Sequence, residues 1–164
     1  MQHVDERAIS LKNHEKATKR ILSFLTNPEN EEMLNYLVCD FVNDGISYWV
    51  ELNLSTKKYN DAKQSLVELG RKNICFEDVL TQLLLTGEAL PLVDREDEDG
   101  QVYYLTLGTL AYGVAMYREY QNDDTIDAIA ELTDEELEEL FEDLDGADAD
   151  LIVQYALFDD VIFG

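Results

Sequence analysis

Positive charge is scarce in this chain, and from residue 121 to residue 164 it is missing altogether. Twelve Lys and Arg stand against 36 Asp and Glu over 164 residues, a formal net charge of −24. A surface of that sign repels polyanions, so free nucleic acid and anionic membranes are excluded as direct ligands, while basic protein surfaces are attracted from a distance. Histidine, the commonest acid–base catalyst, occurs twice, as His3 and His14. Both fall in a polar N-terminal stretch and read as solvated side chains. Cysteine also occurs twice, as Cys39 and Cys75. With only two of each, at unsuitable spacings, a zinc site is excluded. The cysteines sit among apolar neighbours and read as half-buried free thiols, which suits a reducing cytoplasm. A Cys–His catalytic pair would have to carry one of the two histidines across the chain to a thiol. No glycine-rich phosphate cradle is present, because Gly108 and Gly113 fall inside a helical pattern. No run approaches the roughly 18 apolar residues of a membrane span, and the polar start around His3, Asp5, Glu6 and Arg7 lacks the apolar stretch of a signal peptide. These absences predict a protein that is not an enzyme and holds no cofactor or metal.

What is present is an ordinary interior. The apolar fraction is 46%, enough for a real core, so the charge belongs on the surface of a folded chain rather than to a disordered one. It is also unevenly placed. Residues 1–27 hold Arg7, Lys12, Lys16, Lys19 and Arg20 against Asp5, Glu6 and Glu15, a net of +2. Residues 121–164 hold sixteen acidic residues, a net of −16, which leaves −10 between. On this basis residues 1–27 are set apart as a basic helical arm and residues 28–164 as an acidic α+β domain.

Periodicity predicts a helix over residues 5–25 with the stripe Ala17, Ile21, Phe24 and Leu25, ending at Asn27-Pro28. A second helix presents Leu34, Leu37, Val38 and Phe41, closed by Gly45 in a left-handed conformation. A strand follows over 46–54, then helices over 59–69 and 76–85. Residues 88–94 and 101–106 form a hairpin whose inner face is Leu90, Leu92, Tyr103 and Leu105. A helix over 107–120 buries Leu107, Leu110, Ala111, Val114 and Tyr117. Thr133 and Glu136 make a capping box that opens a helix with the inner face Leu137, Leu140, Phe141 and Leu144. A last helix over 148–157 leads to a terminal strand at 161–163. The fold class is helix-rich α+β, a single domain with a small antiparallel sheet.

Acidic turns offer oxygen ligands at Asp94, Glu96, Asp97, Glu98 and Asp99 and at Asp145, Asp148 and Asp150, but neither set follows the EF-hand pattern. The candidate binding residues lie elsewhere, on the outer face of the helix opened by Thr133: Asp134, Glu135, Glu138, Glu139 and Glu142. They form two rows with members four residues apart, about 6 Å along the axis, close to the spacing of successive phosphates in a nucleic-acid strand. Like charges at that spacing oppose helix formation, so a face without compensating Lys or Arg suggests a use. Asp123, Asp124, Asp127, Asp143, Asp145, Asp148 and Asp150 would extend it.

Three stretches resemble a family of small acidic proteins carried by phages and mobile elements of Firmicutes. Residues 44–49, Asp-Gly-Ile-Ser-Tyr-Trp, resemble its GGIGYW element. Residues 75–80, 90–94 and 104–107 resemble its middle. Residues 148–164, from Asp148-Ala149-Asp150 through Gln154-Tyr155-Ala156-Leu157-Phe158 to Val161-Ile162-Phe163-Gly164, are similar to its DADCIVQYALFGEIVFG finish. Asp44, Ser47 and Asp159 stand where the family commonly has glycine. The resemblance implies a mobile-element origin, and by association a protein of the anti-restriction or anti-CRISPR type, acting in the cytoplasm of a bacterial host. Its partner would be a basic nucleic-acid-binding host protein, a nuclease or effector complex, captured by DNA mimicry. The alternative is an interaction or scaffold module, possibly homodimeric, using apolar surface on Tyr155 to Phe163.

Overall fold

The computed structural model describes residues 5–164, apart from the side chain of Asp44; His3 lies outside the described residues. In chain order the elements are α1 (Glu6–Asn13), α2 (Glu15–Thr26), α3 (Glu31–Asp40), β1 (Val50–Leu52), α4 (Thr56–Glu68), α5 (Phe76–Leu85), β2 (Leu90–Asp94), β3 (Val102–Leu105), α6 (Leu107–Asn122), α7 (Ile126–Ala130), α8 (Asp134–Asp143) and α9 (Gly146–Phe158). The class is helix-rich α+β with one small antiparallel sheet.

Two helices form the centre. α6 buries Leu110, Ala111, Tyr112, Gly113, Val114, Ala115 and Met116 on all sides, and α9 buries Ala149, Ile152, Val153, Gln154 and Ala156. A helix apolar all round must be surrounded by other elements. The two axes approach closely because small residues meet. A Cβ on Gly113 would collide with the Ile152 carbonyl oxygen and lie 2.8 Å from the Ala156 Cβ. α2 packs on α6 and α7, α3 bridges α5 and α8, and α4 covers α5. The sheet runs β1-β2-β3, antiparallel throughout. Its register sets Leu90 opposite Leu105 and Leu92 opposite Tyr103, the predicted inner face of the hairpin.

Several expectations change. The predicted first helix is two, divided at His14, and Ala17, Ile21, Phe24 and Leu25 of α2 are all buried in the common core. His14 is buried as well, not solvated. Its Nδ1 lies 2.6 Å from the Ser10 carbonyl oxygen, its Nε2 lies 2.7 Å from Glu119 Oε2, and its ring stands edge-on to Tyr112. Gly45 closes a π-turn over Phe41–Gly45 and is not left-handed; close approach explains it, since a Cβ there would sit 2.7 Å from the Gly146 carbonyl oxygen. Cys39 is half-buried as expected, but Cys75 is exposed at the N-cap of α5; both are free thiols. The strand expected at 161–163 does not form. Those residues take no regular secondary structure, and the N–H groups of Ile162 and Phe163 both go to the Gln154 side chain rather than to a neighbouring strand.

Candidate functional site

The acidic face on α8 is built from its cap outward. Thr133 Oγ1 accepts the Glu136 N–H at 3.1 Å, and Glu136 Oε1 accepts the Thr133 N–H at 3.2 Å, the expected reciprocal cap. Leu137, Leu140 and Phe141 are buried, with the Phe141 ring stacked on Phe24 at 5.8 Å between centroids. A helix anchored along one face holds the other face in a fixed direction. Asp134, Glu135, Glu138, Glu139 and Glu142 are accordingly all exposed.

They are not equivalent. Asp134 is 2.6 Å from Arg20 Nη2 of α2, and Arg20 Nε donates to the Leu132 carbonyl, so this carboxylate is partly neutralised. Among the described residues, Glu135, Glu138, Glu139 and Glu142 enter no salt bridge. The face also continues where periodicity within α8 could not show it. A cleft of about 410 Å³ between α3 and α8 is lined by Tyr36, Cys39, Asp40, Phe141, Glu142 and Leu144. The Tyr36 hydroxyl donates to Glu32 Oε1 at 2.5 Å. That bond, burial and the negative charge of Glu32, Glu142 and Glu138 raise the hydroxyl above its ordinary pKa. The only signal for this in the sequence is the Glu32–Tyr36 spacing of four on a helix.

Other acidic residues expected to extend the face are engaged in holding the fold. Asp145 and Asp148 cap α9 reciprocally, and Asp148 also accepts from the Tyr117 hydroxyl at 2.8 Å. Asp124 pairs with Arg118 at 2.6 Å. Asp150 is nearly buried and accepts Trp49 Nε1 at 2.8 Å and the Tyr48 hydroxyl at 2.7 Å. Asp123, Asp127 and Asp143 remain exposed. In the hairpin turn, Asp94 accepts the Glu96 N–H, and Asp97 accepts those of Asp99 and Gln101. Among the described residues no three His, Cys, Asp or Glu side chains are grouped so as to hold a metal ion, and no helix is long and apolar enough to cross a membrane.

Residues 44–49 and 148–164 meet in space. Trp49 is fully buried, whereas Tyr48 keeps half its ring exposed and turns its hydroxyl inward. Both bond Asp150, and Gln154 Nε2 joins the same carboxylate at 3.0 Å. Burial, followed by the Asp150 hydrogen bond, pushes the Tyr48 hydroxyl up to about 12. The terminal Phe163 ring stacks on Trp49 at 4.5 Å, so much of the apolar end assigned to a partner in the alternative reading is spent internally. These motif residues join elements of the fold. Compared with family models, curated proteins and solved structures, the chain matches none.

Proposed function

We propose that this is a non-enzymatic protein of a phage or mobile element that binds a basic nucleic-acid-handling host protein through an acidic, DNA-mimicking face. The observation that carries the reading is the row of exposed α8 carboxylates, four of them outside any salt bridge among the described residues, on a helix whose opposite side is buried. Such an array presents fixed charge at near-phosphate spacing without the flexibility of a disordered acidic tail. Glu32 and Tyr36 widen it across the α3–α8 cleft, where a cationic side chain would meet carboxylates and an aromatic face together. The partner is a nuclease or effector complex of the anti-restriction or anti-CRISPR target class, and the site of action is the cytoplasm of the bacterial host. Inhibition is competitive with nucleic acid.

The test uses Glu135→Lys, Glu138→Lys, Glu139→Lys and Glu142→Lys combined, leaving Asp134 to its Arg20 partner. Captured from host lysate at low and high salt, the partner should be retained by the wild-type chain only at low salt and lost by the variant at both. Retention by the folded variant equal to wild type would end the proposal.

A further inference from the structure

The last five residues are held almost entirely by side chains. α9 ends at Asp159, whose backbone is left-handed (φ 62°) and whose carboxylate is pinned by Arg7 Nη1 at 2.8 Å and by the Tyr112 hydroxyl at 2.5 Å. Beyond that fixed hinge residues 160–164 form neither helix nor strand. Gln154 Oε1 accepts the N–H groups of both Ile162 and Phe163 at 2.8 Å, while its Nε2 donates to the Phe163 carbonyl at 3.1 Å. One primary amide thus reads a dipeptide backbone, and its remaining donor goes to Asp150. Specificity comes from the ring: Phe163 lies parallel to Trp49 (11°) and within 5.9 Å of Phe158, while Ile162 points to solvent.

The receiving side is organised in part without the tail. Asp150 holds Trp49 Nε1, the Tyr48 hydroxyl and Gln154 Nε2 at once, so the indole and one end of the amide are oriented by a residue outside 160–164, while Gln154 Oε1 and, at 3.3 Å, the Tyr48 hydroxyl also meet Ile162 or Phe163. A prearranged receptor filled by a segment with no strand or helix of its own has the form of a peptide-binding site. We infer that Trp49, Phe158, Asp150 and Gln154 form a site for a short peptide bearing phenylalanine after a β-branched residue, and that residues 160–164 occupy it in cis as a displaceable plug.

Tethering gives the tail a millimolar effective concentration, so a free peptide competes poorly until the tail is weakened. The probe is acetyl-Asp-Val-Ile-Phe-Gly, the sequence of residues 160–164. Added to Phe163→Ala, it should bind saturably and shift the fluorescence of Trp49, the only tryptophan. Wild type should bind at least about tenfold more weakly, because its site is filled. Replacing the peptide's phenylalanine with alanine, or adding Gln154→Leu to the variant, should remove the response. Equal binding by wild type and Phe163→Ala, or no saturable response up to millimolar peptide, would overturn the inference. So would a wild-type dimer at micromolar concentration that Phe163→Ala converts to monomer, since the tail would then fill a second copy. If circular dichroism shows Phe163→Ala unfolded, amide exchange in wild type decides. Ile162 and Phe163 amides that are protected alone and exchange faster with excess peptide support the plug; exchange unchanged by peptide refutes it.

Discussion

Asp150 gathers three donors into a nearly buried carboxylate, and its removal would strand the fully buried Trp49 Nε1–H. Burying a donor without a partner costs more than the bond is worth when made. Asp150→Ala is therefore expected to lower unfolding free energy by on the order of 3 kcal/mol in urea denaturation. A loss below about 1 kcal/mol would mean that water replaces the carboxylate easily. The same cluster controls behaviour in alkali. Tyr48 is pushed up to about 12, and Tyr112 and Tyr117 are also raised, first by burial and then by their bonds to Asp159 and Asp148. A tyrosine whose pKa is higher folded than unfolded stabilises the fold fully below about pH 10, its unfolded value, and loses that contribution as pH rises through the folded value. Stability should thus fall from about pH 10 toward pH 12, with tyrosinate absorbance showing a late-titrating class. A single tyrosinate step near pH 10 would contradict the assignment. At this scale the sequence was partly legible. Periodicity placed Trp49 in a strand over 46–54, whereas the strand is only Val50–Leu52 and Trp49 lies in the turn before it; nor could periodicity show its bond to a carboxylate 101 positions away. His14 was misread because its partner Glu119 is equally distant in sequence, and polar neighbours on α1 masked a buried ring.

Helix boundaries and faces were the most readable features, because period and caps are local. The α8 cap is worth about 1 kcal/mol, so Thr133→Ala should lower stability by that amount and fray the helix carrying the carboxylates. An unchanged melting temperature would show that burial of Leu137, Leu140 and Phe141 alone orders α8. Closer packing was not legible. A glycine within α6 reads as a weak point in a helix, yet Gly113 is required where α9 crosses. Gly113→Ala should therefore destabilise the chain even though alanine is the better helix former, and a stabilised variant would contradict the contact. The missing terminal strand has a simple cause. The apolar run Val161-Ile162-Phe163 reads as a strand, but pattern cannot tell a strand partner from a glutamine side chain.

For the whole molecule, a charge of −24 on a folded surface is a standing repulsion. Added salt screens it, so melting temperature at neutral pH should rise with ionic strength over the first few hundred millimolar; a fall would mean that the few ion pairs outweigh the repulsion. Acid acts in the opposite direction on particular groups. Burial works to raise Asp78, but the N–H and thiol of Cys75, together with Arg71 and Asn35, outweigh it and hold the carboxyl low. The Asp148 N–H lowers Asp145. Depressed carboxyls stabilise the fold above their unfolded value of about 3.9 and lose that contribution as pH falls through the lower folded one, so their loss is confined to below about pH 4. The charge asymmetry that suggested a basic arm was real in sequence and does not mark a packing boundary, because α2 turns its apolar stripe into the core and its Arg20 toward α8.

The central claim is that the α8 carboxylates act as one fixed anionic array on a cationic groove. The most direct measurement is the dissociation constant for the captured host partner as a function of salt, for wild type and for the fourfold glutamate-to-lysine variant of α8. Wild-type log Kd should rise linearly with log salt, and the folded variant should bind at least about a hundredfold more weakly at the lowest salt. A wild-type affinity indifferent to salt, or a variant that binds as tightly, would contradict it.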